Sequence, residues 1–325
     1  MITDIHCHYV PQDFLRFVEK NEAFGIRREG ETEELIDFTI RGHRFPLGRT
    51  FFDRGRQLQR MSEVGVDHTV LSLATPFIDY HQDSALAVAA GQAFNDGLAA
   101  MMEEDRTKFS GWAFLPMQDP EAAARELRRC VSELGFVGGH IASNVRGKYL
   151  YHDQFKPIWE AATELNVPLF VHPADPPGKE RTRDFELTVV AGYLFDNTVN
   201  ILGLVCSGFL DRWPRLKLVF AHSGAFSLIL RERMQREVDT NPDLSAALRA
   251  PVGDYLQRLY YDTVCFEPAI LNYVANAVPQ SHLLLGSDAP FPLGEPDPVN
   301  FVRRSLGPRA ANAVLKDNFG ILTVS

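Results

Sequence analysis

Short apolar runs alternate with longer segments of helical period almost to the end of the chain. Eight runs have the composition of strands: ITDIHCH, HTVLSLA, FSGWAFLPM, VGGHIAS, VPLFVHP, LKLVFAHS, LYYDTVCF and HLLLGSDA. Several are near-continuously apolar rather than alternating, which is how parallel strands buried on both faces read. Between them lie helical patterns, among them RGRQLQRMSEVG, SALAVAAGQAFNDGLAAMMEED, PEAAARELRRCVSELG and the long ELTVVAGYLFDNTVNILGLVCSGFLDRWP. The punctuation agrees: DPEAAARE sets a proline in a first helical turn, and SELGF stops on glycine. Eight strand–helix units predict an α/β fold, a (β/α)8 TIM barrel forming one domain over 1–325, closed by C-terminal helices. A doubly wound open sheet loses its support because no GxGxxG follows the first strand.

One stretch breaks the rhythm. From about Pro11 to Arg49, mixed charges such as EGETEELIDFTIRGHRF separate the first strand from the first regular helix. The expectation is an insertion over about 11–49 with a small hairpin, covering one mouth of the barrel as a lid or oligomer contact.

Composition adds exclusions. A formal net charge of −9 over 325 residues argues against nucleic acid as a partner, because neutralising phosphates needs a basic surface. The four cysteines, Cys7, Cys130, Cys206 and Cys265, form no CxxC pair and read as reduced, small apolar residues. MITDIHCH shows no basic region followed by an apolar stretch, and NTVNILGLVCSGFL is too short and too polar for a membrane span. The expected protein is cytoplasmic, without membrane contact.

Barrels of this kind keep their chemistry at the C-terminal strand ends. Those ends hold His6 and His8 (strand 1), His172 (strand 5), His222 (strand 6) and Asp288 (strand 8). Residues i and i+2 of a strand share a face about 6.5–7 Å apart, so His6 and His8 can grip one cation between them while Cys7 points the other way. With His172 and Asp288 they make a nitrogen and oxygen set suited to one divalent ion, Zn²⁺ first, with Mn²⁺ or Fe²⁺ as alternatives. The residues alone do not separate His222 from these ligands. His81, in FIDYHQD, is a candidate substrate contact; His140, within strand 4, reads as a core residue. Phe291 and Trp112 are candidates to line an apolar pocket, with core packing as the competing reading.

Taken together, DIHCHYVP, LPMQDPEAAARELRRCVSELGFVGGHI, PLFVHP, RLKLVFAHSGAF and LLLGSDAPFPLGE resemble the amidohydrolase superfamily. The similarity lies in the branch of 2-amino-3-carboxymuconate-6-semialdehyde decarboxylase and of γ-resorcylate and 5-carboxyvanillate decarboxylases. It implies metal ligation by His6, His8, His172 and Asp288, with His222 off the metal as general acid/base. Strand 4 lacks the lysine that bridges two metals in other amidohydrolases, since Lys148 comes several residues later; a mononuclear site follows. The resemblance also implies that Arg233 binds a substrate carboxylate across a homodimer interface. A second carboxylate-binding arginine of the family falls at Gln57 here, with Arg54 and Arg56 nearby but out of register. The implied activity is non-oxidative decarboxylation of an unsaturated or aromatic carboxylic acid in aromatic-compound catabolism. The alternative is a hydrolase or hydratase using metal-bound water, with His222 as base. A barrel keeping its metal for structure alone would not need His222.

Overall fold

The computed structural model describes residues 1–322. Strand β1 (Thr3–Tyr9) is followed by helix α1 (Gln12–Lys20) and an antiparallel meander of β2 (Ile26–Glu31), β3 (Leu35–Ile40) and β4 (His43–Gly48). Helix α2 (Arg54–Val64) leads to β5 (His68–Leu73), and the alternation continues through α3 (Ser84–Glu103), β6 (Phe109–Phe114), α4 (Pro120–Leu134) and β7 (Gly138–Ala142). A short hairpin, β8 (Asn144–Val145) and β9 (Lys148–Tyr149), precedes α5 (Lys156–Leu165) and β10 (Leu169–His172). Then come α6 (Tyr193–Cys206), α7 (Phe209–Arg212), β11 (Leu218–Phe220), α8 (Arg231–Thr240), β12 (Tyr260–Asp262) and β13 (Leu283–Leu284), with further short helices between and after them.

The parallel sheet runs β1-β5-β6-β7-β10-β11-β12-β13. Backbone hydrogen bonds from Ile5 N to Leu285 O (2.8 Å) and from His8 N to Ala289 O (2.7 Å) return the last strand to the first. The fold is the predicted (β/α)8 barrel. Ile5, Val70, Trp112, Phe170, Val219 and Leu284 fill its interior, and the helices cover the outside. Helix ends obey local chemistry: Asp119 caps α4 through the Ala122 amide, and Gly135 ends it at φ 73°.

Three local features differ from the sequence expectation. The insertion is a helix plus a three-stranded meander rather than a hairpin, because LIDFTI alternates strictly and buries Ile36, Phe38 and Ile40 on one face. The long helical pattern after β10 is broken: a π-turn occupies Thr188–Gly192, and Gly208, at φ 66°, separates α6 from α7. By length and composition Asp184–Cys206 would suffice to cross a membrane, and 44% of its most apolar window is buried. Finally, β1 carries a bulge. Its register against β5 slips between Asp4 and Cys7, which turns both Ile5 and His6 into the barrel and leaves Asp4 on the outer face with Cys7.

Candidate metal centre

Four barrel strands bring their polar residues to one point. His6 lies 5.2 Å from His8, 5.1 Å from His172 and 5.4 Å from His222, ring centre to ring centre. Asp288 reaches into their midst: its Oδ1 is 3.2 Å from His6 Nε2 and 3.0 Å from His8 Nε2, and its Oδ2 is 3.5 Å from His222 Nε2. One donor atom each from His6, His172, His222 and Asp288 falls within 4.8 Å of the others. His8 joins through its contact with Asp288.

Hydrogen bonds at the far side of each ring decide what the near side offers. His6 Nδ1 donates to Asp262 Oδ2 at 2.6 Å, His8 Nδ1 to Leu73 O at 3.2 Å, and His172 Nδ1 to Pro173 O at 2.9 Å. Carbonyls and carboxylates only accept, so each Nδ1 carries a proton, and each Nε2 is turned toward the shared point, that of His8 onto Asp288 Oδ1 at 3.0 Å. His6 Nε2 and His172 Nε2 are buried with no hydrogen-bond partner among the described residues. A buried polar atom left this way costs about 1–3 kcal/mol. His222 is built differently: its Nδ1 has no partner, and its side chain is 12% exposed at the mouth.

The electrostatics agree. Burial pushes His8 and His172 down, and neighbouring imidazoles add to it, which favours the neutral form of both even though Asp288 pulls the other way. Burial opposes charge on Asp288, yet His6 and the hydrogen bonds from the histidines hold its carboxyl well below the usual range. Burial likewise opposes charge on His6, but Asp288 and Asp262 raise it to about 10. Two buried carboxylates thus draw positive charge to a point where unpartnered nitrogens converge. These residues fit one divalent cation with nitrogen and oxygen ligands.

Asp262 is the functional residue that the sequence reading missed. Besides holding His6, it accepts from His222 N (3.0 Å), Ser223 N (2.7 Å) and Val264 N (3.1 Å). His222 and Ser223 sit at φ 58° and 53°, a conformation costing of order 1–3 kcal/mol per residue, and these bonds hold it. The signal was present as an acid at the end of LYYD, at the level of the other strand-end residues. Gly286 is required beside it, since a Cβ there would come 2.9 Å from both the His6 and Asp262 Cβ atoms. Asp262→Asn keeps the shape but removes the charge, so metal affinity should fall about 10–100-fold in a competitive chelator titration. Unchanged affinity would show that His6 needs no carboxylate behind it.

The remaining candidates separate. Phe291 stands against the cluster, its ring 5.0 Å from His8 and 4.8 Å from Phe51. Trp112 does not line the mouth: it is fully buried in the barrel interior, its Nε1 donates to Ile5 O at 2.8 Å, and it stacks on Phe170. His81 is exposed and bonds Asp175 Oδ2 at 2.8 Å, which ties the loop after β5 to the loop after β10. Gln57 is buried and donates to His8 O and Thr50 O, both at 3.0 Å. Arg54 pairs with Glu104 and Arg56 with Glu34, so neither arginine takes the place of the one missing at Gln57. Lys148 lies on β9 and bonds Gln154. Arg233 is exposed on α8, with no ion pair to any described residue, in a surface groove with Leu202 and Leu230. Cys7 packs against Gln57 and Arg60 on the outer face, where burial pushes its thiol up to about 12.

A (β/α)8 barrel that gathers histidines and an aspartate at its C-terminal mouth defines an enzyme built around a metal site. The chain belongs to the amidohydrolase family, whose model matches residues 3–318. It is 30% identical over 296 residues to the 2-amino-3-carboxymuconate-6-semialdehyde decarboxylase of Dictyostelium discoideum, covering 90% of this chain and 82% of that one. It is 33% identical over 251 residues to the γ-resorcylate decarboxylase of a Polaromonas species, covering 73% and 76%. Its fold matches the 5-carboxyvanillate decarboxylase of Novosphingobium aromaticivorans, complexed with manganese and 4-hydroxy-3-methoxy-5-nitrobenzoic acid, at a TM-score of 0.82 and 21% identity over 98% of this chain and 94% of that one.

Proposed function

We propose that this chain is a metal-dependent, non-oxidative decarboxylase of an unsaturated or aromatic carboxylic acid. One observation carries the division of labour. His6, His8 and His172 have Nδ1 anchored and Nε2 turned to the shared point, as ligands do, while the Nδ1 of His222 has no anchor and its ring lies at the mouth. His6, His8, His172 and Asp288 are therefore the metal ligands, and His222 is the proton carrier. A cation held by these residues would supply Lewis acidity. His222 delivers a proton to the carbon that bears the carboxylate. The C–C bond then breaks, its electron pair returns to the unsaturated system, and CO2 leaves. Phe291 closes one side of the pocket with an apolar face suited to a flat substrate.

Zn²⁺ suits the three-nitrogen, one-carboxylate set, and the Novosphingobium enzyme with its manganese supports Mn²⁺ as the other loading. The working unit is a cytoplasmic homodimer without membrane contact. The unpaired Arg233 supports the dimer, as do exposed Phe195, Phe226 and Ile229, which suit burial against a second copy. Elemental analysis followed by CO2 detection over a panel of benzoic and muconic acids tests the reading. CO2 release from at least one acid is expected. Cleavage of a lactone or amide with no CO2 from any acid would replace it with the hydrolase reading.

A further inference from the structure

We propose that Tyr193 is a specificity-determining residue whose hydroxyl lies beside the mouth of the metal centre and hydrogen-bonds a polar substituent of the substrate, remote from the carboxylate that is lost. The inference rests on the decarboxylase reading for the nature of the ligand, but not for the place of the residue.

Helix position gives the first argument. Asp196 and Asn197, on the first turn of α6, face the barrel end: Asp196 accepts from Asn144 Nδ2 at 2.9 Å, and Asn197 Nδ2 donates to Ala221 O at 3.2 Å, next to His222. Tyr193 precedes them by three and four residues and so shares their face, one turn nearer the helix start. The π-turn Thr188–Gly192 ends immediately before it, a distortion that often marks functional sites.

Charges from three sectors of the rim give the second. Tyr193 lies in electrostatic range of Asp175 after β10, of Arg41 from the meander, of Asp288 after β13, and of Glu186 on the segment leading into α6. Arg41 is itself fixed over the end of β5 by bonds to Pro76 O (2.8 Å) and Ile78 O (3.4 Å). Together with the helix face it shares with Asn197, whose Nδ2 bonds Ala221 O beside His222, this reach places the ring beside the mouth. Its hydroxyl has no hydrogen-bond partner among the described residues, although burial pushes the phenol up to about 12 and keeps it protonated at neutral pH. An unpartnered phenol beside a metal site is a donor awaiting an acceptor, and a phenolic oxygen or second carboxylate on the ring supplies one. A site built to bond such a group discriminates against the analogue that lacks it.

The test is calorimetric titration of metal-loaded wild type and Tyr193→Phe with benzoate, the three hydroxybenzoates and the three benzenedicarboxylates. Wild type should bind at least one substituted acid about tenfold or more tighter than benzoate. Tyr193→Phe should bring that acid to within about twofold of benzoate while leaving the benzoate affinity, metal content and thermal midpoint unchanged. A substitution pattern that survives in Tyr193→Phe overturns the assignment. So does a wild type that binds all the acids equally or none of them. CO2 measured on the same samples separates the two claims: the expected binding pattern without CO2 release sinks the decarboxylase and leaves Tyr193 standing.

Discussion

His222→Asn should lower turnover by about 10²–10⁴-fold, the usual range for losing a positioned acid/base, while the protein keeps its metal. Asparagine is the informative replacement because His222 sits at φ 58°, and asparagine tolerates that left-handed backbone without rearranging the turn held by Asp262. The carbon that loses CO2 needs a proton, and asparagine offers none at neutral pH. His6, His8, His172 and Asp288 are untouched, with every Nδ1 anchor in place. Distances alone group His222 with the ligands, since its donor atom falls within 4.8 Å of those of His6, His172 and Asp288. Metal content measured beside turnover therefore decides between the roles. Parallel loss of metal and turnover would make His222 a ligand; turnover lost with metal retained makes it the proton carrier; unchanged turnover would remove it from the reaction.

The barrel was legible because its strands are apolar on both faces and its helices are punctuated by proline, glycine and capping aspartates. The ligand candidates were legible for a related reason: polar residues at the ends of buried strands are costly and need a purpose. What period and composition could not show were departures from regularity. Strict alternation puts Asp4, His6 and His8 on one face, whereas the bulge in β1 keeps the histidines inside and moves Asp4 out to Ser287 and Arg60. Trp112 sits on a strand and carries a polar nitrogen, so it resembled a pocket residue; only the carbonyl of Ile5 reveals that the nitrogen is satisfied in the interior. Asp262 looked like one more buried acid until four donors, from β1, the turn at His222 and its own loop, were found on it. Apart from the Val264 amide, these contacts join residues more than thirty apart in sequence, which no local pattern encodes.

Asp288→Asn should be nearly as severe, and by a different route. The carboxylate is the negative charge common to the cluster, within 3.0–3.5 Å of His6, His8 and His222. Asparagine fits its φ of 60° and occupies the same volume, so the fold should survive. Without the charge, the three nitrogen ligands must hold a dication with less compensation in a buried site, where unbalanced charge is expensive. Replacing a partner behind a ligand costs about 10–100-fold in metal affinity, and losing a charged ligand should cost at least about 100-fold. The purified variant should be substoichiometric in metal and inactive, and its turnover should return only in part under excess Mn²⁺ or Zn²⁺. Thermal unfolding gives an independent readout. Wild type should be stabilised by added metal through mass action, by about 4 kcal/mol at a thousand times the dissociation constant, whereas the variant should gain little at the same concentration. An equal stabilisation of both proteins would show that Asp288 does not touch the ion. Its carboxylate would then act on the substrate or on His222, and the three histidines would hold the metal by themselves.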